Sequence, residues 1–143
     1  MYLTEQLIRH EGLRLHPYKC PAGYWSIGVG RNLEGKGITH QEAMYMMMHD
    51  IADAKIGVKQ ILSNYHIEDY KINLPRRDAL INVAYNIGQS SLMGFRKMFS
   101  AIYAEDWDKA AVQLLDSKYA TEVGGRAVEL SNQLRTGAYQ RNE

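Results

Sequence analysis

The spacing of apolar positions changes twice along the first half of the chain. Around Thr4 to Glu11, Leu3, Leu7 and Ile8 fall at helical intervals, and Gly12 stands where a helix ends on a left-handed residue. The pattern predicts a short helix that ends at Glu11. From Tyr24 to Gly30 the period drops to two, with Trp25, Ile27 and Val29 on one face and Tyr24, Ser26, Gly28 and Gly30 on the other. Pro21-Ala22-Gly23 supplies turn residues, and Tyr18-Lys19-Cys20 supplies the first arm of a hairpin. Paired across that turn, Cys20 and Ser26 point to one side, and the strand glycines leave room for a bulky substrate to approach the backbone.

Helical spacing returns after a loop at Gly35-Lys36-Gly37-Ile38. Thr39-His40-Gln41-Glu42 has the form of a capping box, so a helix should begin at His40 and carry an apolar stripe through Ala43, Met44, Met47, Met48, Ile51 and Ala52. Its methionines read as core filling rather than as an adaptable recognition surface. The pattern leaves open whether the helix runs unbroken past Gly57 to Leu62. Ser63 to Asn73 is polar with scattered aromatics and suits a crossing between lobes. Pro75 fits the first turn of a helix that is apolar nearly all round, from Ala79 to Ile87, with Gly88 as its cap. Three further helices are expected at about 92–103, 107–117 and 125–134, with Asp106 as an N-cap and Gly137 as a stop. The fold class is α+β: a small lobe at about 12–60 holding the hairpin, a larger helical lobe at about 61–143 joined by 1–11, and a cleft between them as the place for an extended ligand.

Composition narrows the function classes. A chain of 143 residues can bury a core, and its net charge of +1 gives no polybasic footprint for nucleic acid. No apolar run of about 18 residues is present, which argues against membrane insertion. Glu5, Arg9, His10 and Glu11 interrupt any secretory leader. The single cysteine permits no intrachain disulfide, and the five histidines lack the ligand-pair spacing of a metal site.

Glu11, on the last turn of its helix, faces the negative end of the helix dipole, a setting that favours a protonated general acid. Taken singly, a helix-end Glu, a lone Cys and a strand Ser are ordinary residues with structural or solvated roles. Their order is distinctive: Glu11, eight residues, Cys20, five residues, Ser26, inside EGLRLHPYKCPAGYWSIGVGRN. This resembles the signature of the phage-type lysozyme and endolysin family, glycoside hydrolase family 24. That signature is Glu, eight residues, Asp or less often Cys, five residues, then Thr, set in Y-K-x-x-x-G-x-x-[ST]-I-G-x-G. The stretches ALINVAYNIG, MGF, WDKAAVQL, GGRA and LRTGAY follow in the family's order, so the resemblance covers nearly the whole chain.

The resemblance implies a lysozyme-like fold and a muramidase that hydrolyses the β-1,4 bond between N-acetylmuramic acid and N-acetylglucosamine in peptidoglycan. It implies a monomer that needs neither metal nor cofactor and is released from the host cytoplasm to the wall by a holin at phage release. Glu11 would be the general acid, Cys20 and Ser26 would position or activate water, and Arg126 would pair with the acid. Such a pair opposes the dipole effect on Glu11. Asn32, Tyr85, Asn86, Gln113 and Lys118 stand where the family contacts its saccharide, although Tyr85 reads more readily as core. Arg31 occupies a position where His is common, so a His-based ion pair should be absent. Cys20 is left with three roles: base, nucleophile or bystander. Two other readings compete: a degenerate homologue that binds glycan without cutting it, and a Cys-dependent peptidase or amidase. Against the latter, Cys20 lies at a hairpin turn and has no helix N-terminus to activate it.

Overall fold

The first helix, α1 (Tyr2–Glu11), ends at Gly12, which adopts φ +81° and donates its N–H to the Ile8 carbonyl at 2.8 Å. The left-handed conformation is one that a residue with a Cβ adopts only at a cost, and it turns the chain directly into the sheet. These elements belong to a computed structural model, which describes residues 2–140. Three antiparallel strands follow in the order β1 (Arg14–Lys19), β2 (Trp25–Gly28) and β3 (Arg31–Asn32). Tyr18 pairs with Ser26 and Lys19 with Trp25 across the first ladder, and Ser26 with Asn32 and Ile27 with Arg31 across the second. Ser26 is buried while Trp25 beside it is 46% exposed, so the apolar side of the alternation is the open one here.

Helix α2 (His40–Asn64) starts where the capping box places it. The Thr39 hydroxyl accepts the Glu42 N–H at 3.1 Å, and the Glu42 carboxylate accepts the Thr39 N–H at 3.0 Å. The helix passes Gly57 without a break, because Gly57 is buried there with the Gln89 side chain filling the place of a Cβ. Its methionines do not fill a core: Met44, Met46, Met47 and Met48 are all exposed, since the core-forming turns of α2 begin only at Ala54.

By its internal contacts the chain divides into two units, Met1–Met46 and Met47–Glu143. The second unit is helical. Asn73 caps α3 (Leu74–Ile87) through the Arg76 N–H, and Gly88 closes it. The run expected at about 92–103 is split into α4 (Gln89–Met93) and α5 (Arg96–Tyr103) by a turn at Gly94-Phe95, where the Arg96 N–H bonds back to the Gly94 carbonyl. Asp106 caps α6 (Trp107–Leu115) through the Lys109 N–H. A short α7 (Lys118–Val123), which the apolar spacing does not announce, precedes α8 (Gly125–Thr136), and Gly137 ends α8 at φ +71°. One hydrophobic cluster runs through this unit, with Ile61, Val83, Leu92, Phe99, Ala110 and Leu134 essentially without solvent contact. The stretch Ser63–Asn73 contributes Ile67 and Ile72 to that cluster, so it is part of the core rather than a polar strap.

Candidate functional site

In the first unit, the sequence brings an acid, a thiol and a hydroxyl onto one small frame. Glu11 is exposed at the end of α1. Its carboxylate lies against the turn that joins β2 to β3: a Cβ added to Gly30 would meet Glu11 Oε2 at 2.8 Å and Glu11 Cδ at 3.2 Å. Gly30 also sits at φ +69°. The strand glycines suggested space for a substrate, but at Gly30 that space is occupied by the protein's own carboxylate.

Cys20 opens the turn at the other end of β2. The Gly23 N–H returns to the Cys20 carbonyl at 2.8 Å, and the Cys20 N–H bonds the Tyr24 carbonyl at 2.9 Å. This tight loop aims its own backbone donors at the sulfur. The Tyr24 N–H acts most strongly, partial desolvation opposes it, and the Ala22 N–H, the Ser26 hydroxyl and the Gly23 N–H add to it in that order, so the net effect is downward. The thiol is thereby held below its ordinary range, because hydrogen bonds to the thiolate favour the charged form. A hairpin turn thus supplies the donors that a helix N-terminus supplies elsewhere. Ser26 is 3% exposed, and its hydroxyl also lies 3.4 Å from the Tyr24 carbonyl. Cys20 and Ser26 are therefore brought together, as the hairpin register predicts.

Arg31 makes no histidine-type pair but a bidentate one. Its Nη1 and Nη2 donate to the two carboxylate oxygens of Glu42 at 3.0 and 2.8 Å, and Nη1 also reaches the Gly37 carbonyl at 3.0 Å. The guanidinium, followed by the Thr39 contacts, holds the Glu42 carboxyl down at about 2. Asn32 does local structural work: its side-chain oxygen accepts the N–H groups of Glu34 and Gly35, closing the loop after β3.

The remaining candidates lie in the second unit. Arg126, near the start of α8, is held by Asn82 through Nε at 3.0 Å and Nη2 at 2.6 Å to Oδ1, and through Nη2 at 3.2 Å to the carbonyl. Tyr85 is 44% exposed rather than core, and with Asn82 and Arg126 it lines a hollow of about 470 Å³. Asn86 and Lys118 are exposed, and Gln113 is half-buried on α6. Among the described residues no three His, Cys, Asp or Glu side chains are grouped so as to hold a metal, and no helix is long and apolar enough to cross a membrane. Sequence reasoning missed the role of Gly30 and the amides around Cys20. The turn residues Pro21-Ala22-Gly23 were the only signal for the amides, and nothing local signals Gly30.

Residues 8–136 match the family model described as phage lysozyme. The chain is 30% identical to the pre-baseplate central spike protein Gp5 of Enterobacteria phage T4, over 96% of this chain and 28% of that protein. It is 35% identical to an endolysin of Acyrthosiphon pisum secondary endosymbiont phage 1, over 64% of this chain and 63% of the endolysin. With a probable T4-type lysozyme of Dictyostelium discoideum it shares 24% identity over 94% of each chain. It therefore spans less than two thirds of the first two relatives.

Proposed function

Because the chain belongs to the phage lysozyme family, we propose that it hydrolyses the β-1,4 bond between N-acetylmuramic acid and N-acetylglucosamine in bacterial peptidoglycan, as an endolysin acting at phage release. The observation that carries this reading is the seating of the Glu11 carboxylate against Gly30, on the same β-frame that holds Cys20 and Ser26.

Glu11 gives its proton to the glycosidic oxygen as the bond to the anomeric carbon breaks, and water attacks that carbon from the opposite face. The Cys20 thiolate takes the proton of that water and Ser26 orients it, so the configuration inverts. The donors around the sulfur support this choice among the three roles, since they favour its charged form. Arg126 acts on the acid, and Asn32, Tyr85, Asn86, Gln113 and Lys118 read saccharide hydroxyl and N-acetyl groups. The protein works as a monomer without metal or cofactor and reaches the wall from the host cytoplasm after a holin opens the membrane.

A lowered thiol would also serve a wall peptidase or amidase, but the groups acting on Cys20 include no histidine to serve as its base. Muropeptide mass spectrometry decides between the two. New reducing ends are expected, whereas freed peptide stems or 1,6-anhydro ends would sink the hydrolase reading. Glu11→Gln should lower the rate by at least about a hundredfold, and an unchanged rate would remove Glu11 from the chemistry. Proton NMR of the first-formed anomer should show inversion.

A further inference from the structure

Within its own unit the Glu11 carboxylate rests against the bare backbone of Gly30, where an added Cβ would stand 2.8 Å from Oε2. The position of Gly30 therefore matters, and the next residue fixes it. Arg31 belongs to a strand of only two residues, too short to define its own place by ladder hydrogen bonds. Its guanidinium is anchored at three points, on both Glu42 oxygens and on the Gly37 carbonyl. Glu42 in turn is fixed by the reciprocal bonds with Thr39 at the start of α2. A planar fork bound on both tines holds direction as well as distance, which a lysine at the same place cannot do.

We propose that Arg31 and Glu42 are positioning residues for Glu11: their ion pair sets the Gly30–Arg31 peptide, and with it the surface against which the acid is seated. The same pair steadies the Ser26–Asn32 rung of the ladder, so the hydroxyl side of the site depends on it as well. This inference rests on the proposed glycan hydrolysis with Glu11 as acid. A small displacement of a catalytic group slows the chemical step while leaving binding contacts in place, so kcat should fall and KM should not.

The test is steady-state release of reducing ends from soluble, uncross-linked peptidoglycan strands by the whole chain and by Arg31→Gln, Arg31→Lys, Glu42→Gln and the double variant Arg31→Gln/Glu42→Gln, at a temperature where circular dichroism shows each folded. Arg31→Gln and Glu42→Gln should each lose about tenfold or more in kcat, with KM within about twofold. The double variant should be no slower than the worse single one, because both remove the same pair, and Arg31→Lys should recover part of the loss. Asp106→Ala, which removes the N-cap of α6 and leaves the guanidinium fork untouched, should lower the melting temperature and leave kcat unchanged. Nuclear Overhauser contacts between the Gly30 Hα and Glu11 side-chain protons supply a readout independent of turnover: they should weaken in Arg31→Gln and persist in Asp106→Ala. If Glu11→Gln is inactive while Arg31→Gln keeps kcat and the Gly30–Glu11 contacts, the positioning role falls and the hydrolase reading stands. If Asp106→Ala loses kcat as much as Arg31→Gln, the pair acts through stability alone and the positioning role falls likewise. If Glu11→Gln itself is active, the hydrolase reading fails.

Discussion

The two units are held by different physics. In Met47–Glu143, residues from every helix bury apolar side chains in one cluster. In Met1–Met46, Ser26 is the only buried residue among those described. What orders the first unit is directional and local: a left-handed glycine after α1, a tight turn at Cys20, a capping box and a bidentate ion pair. A hydrophobic core tolerates imprecision in direction but not loss of volume, whereas a polar frame tolerates loss of volume but not of a single donor. The proposed chemistry sits on the polar frame, and that frame owes little to bulk burial.

Core deletion should separate the units most strongly. Phe99 is fully buried and stacks on Tyr65 with ring centroids 4.8 Å apart, so Phe99→Ala should cost about 3–5 kcal/mol in urea denaturation of the second unit. A comparable deletion in the first unit, Val29→Ala at 38% exposure, should cost far less; equal losses would erase the contrast. Next comes Gly30→Ala, where the positive φ adds about 1–2 kcal/mol of strain and the new methyl displaces the Glu11 carboxylate. Activity should fall by more than the modest drop in melting temperature explains.

A smaller change of opposite sign is expected at Glu105, a non-glycine residue at φ +57° that ends α5 by donating its N–H to the Ile102 carbonyl. Glu105→Gly should raise the stability of the second unit by roughly 0.5–1 kcal/mol. Smallest is the acid response of the ion pair. The Glu42 carboxyl sits at about 2 when folded, against an ordinary value of 4.5, so its contribution is complete above about pH 4.5 and disappears as pH falls toward 2. The stability gap between wild type and Glu42→Gln should therefore close over that window, and it should narrow at neutral pH when salt is raised, because both partners are partly exposed.

What was legible in the sequence was what neighbouring residues encode for each other. The end of α1 at Glu11, the start of α2 at His40, the Asp106 cap and the stop at Gly137 all rest on contacts within four residues. So does the pairing of Cys20 with Ser26, because a tight turn fixes its own register. The illegible parts are encoded at longer range or too weakly. Gly30 against Glu11, Arg31 with Glu42 and Arg126 with Asn82 join side chains that only the fold brings together. The break at Gly94 escaped the apolar period because the residues on both sides still point into one core, as Leu92 and Met98 do. The methionines of α2 misled for the opposite reason: their spacing is that of a buried stripe, but the thin first unit offers no core to receive it.

The chain's two tryptophans fall one in each unit, each beneath a cation: Lys19 Nζ lies 5.3 Å above the ring of Trp25, and Arg76 Cζ lies 4.1 Å above that of Trp107. The protein thus carries a separate intrinsic fluorophore for each half. Trp25, nearly half open to water, should emit further to the red than the half-buried Trp107. With either indole replaced by phenylalanine, the remaining emission reports the melting of its own half in unlabelled protein.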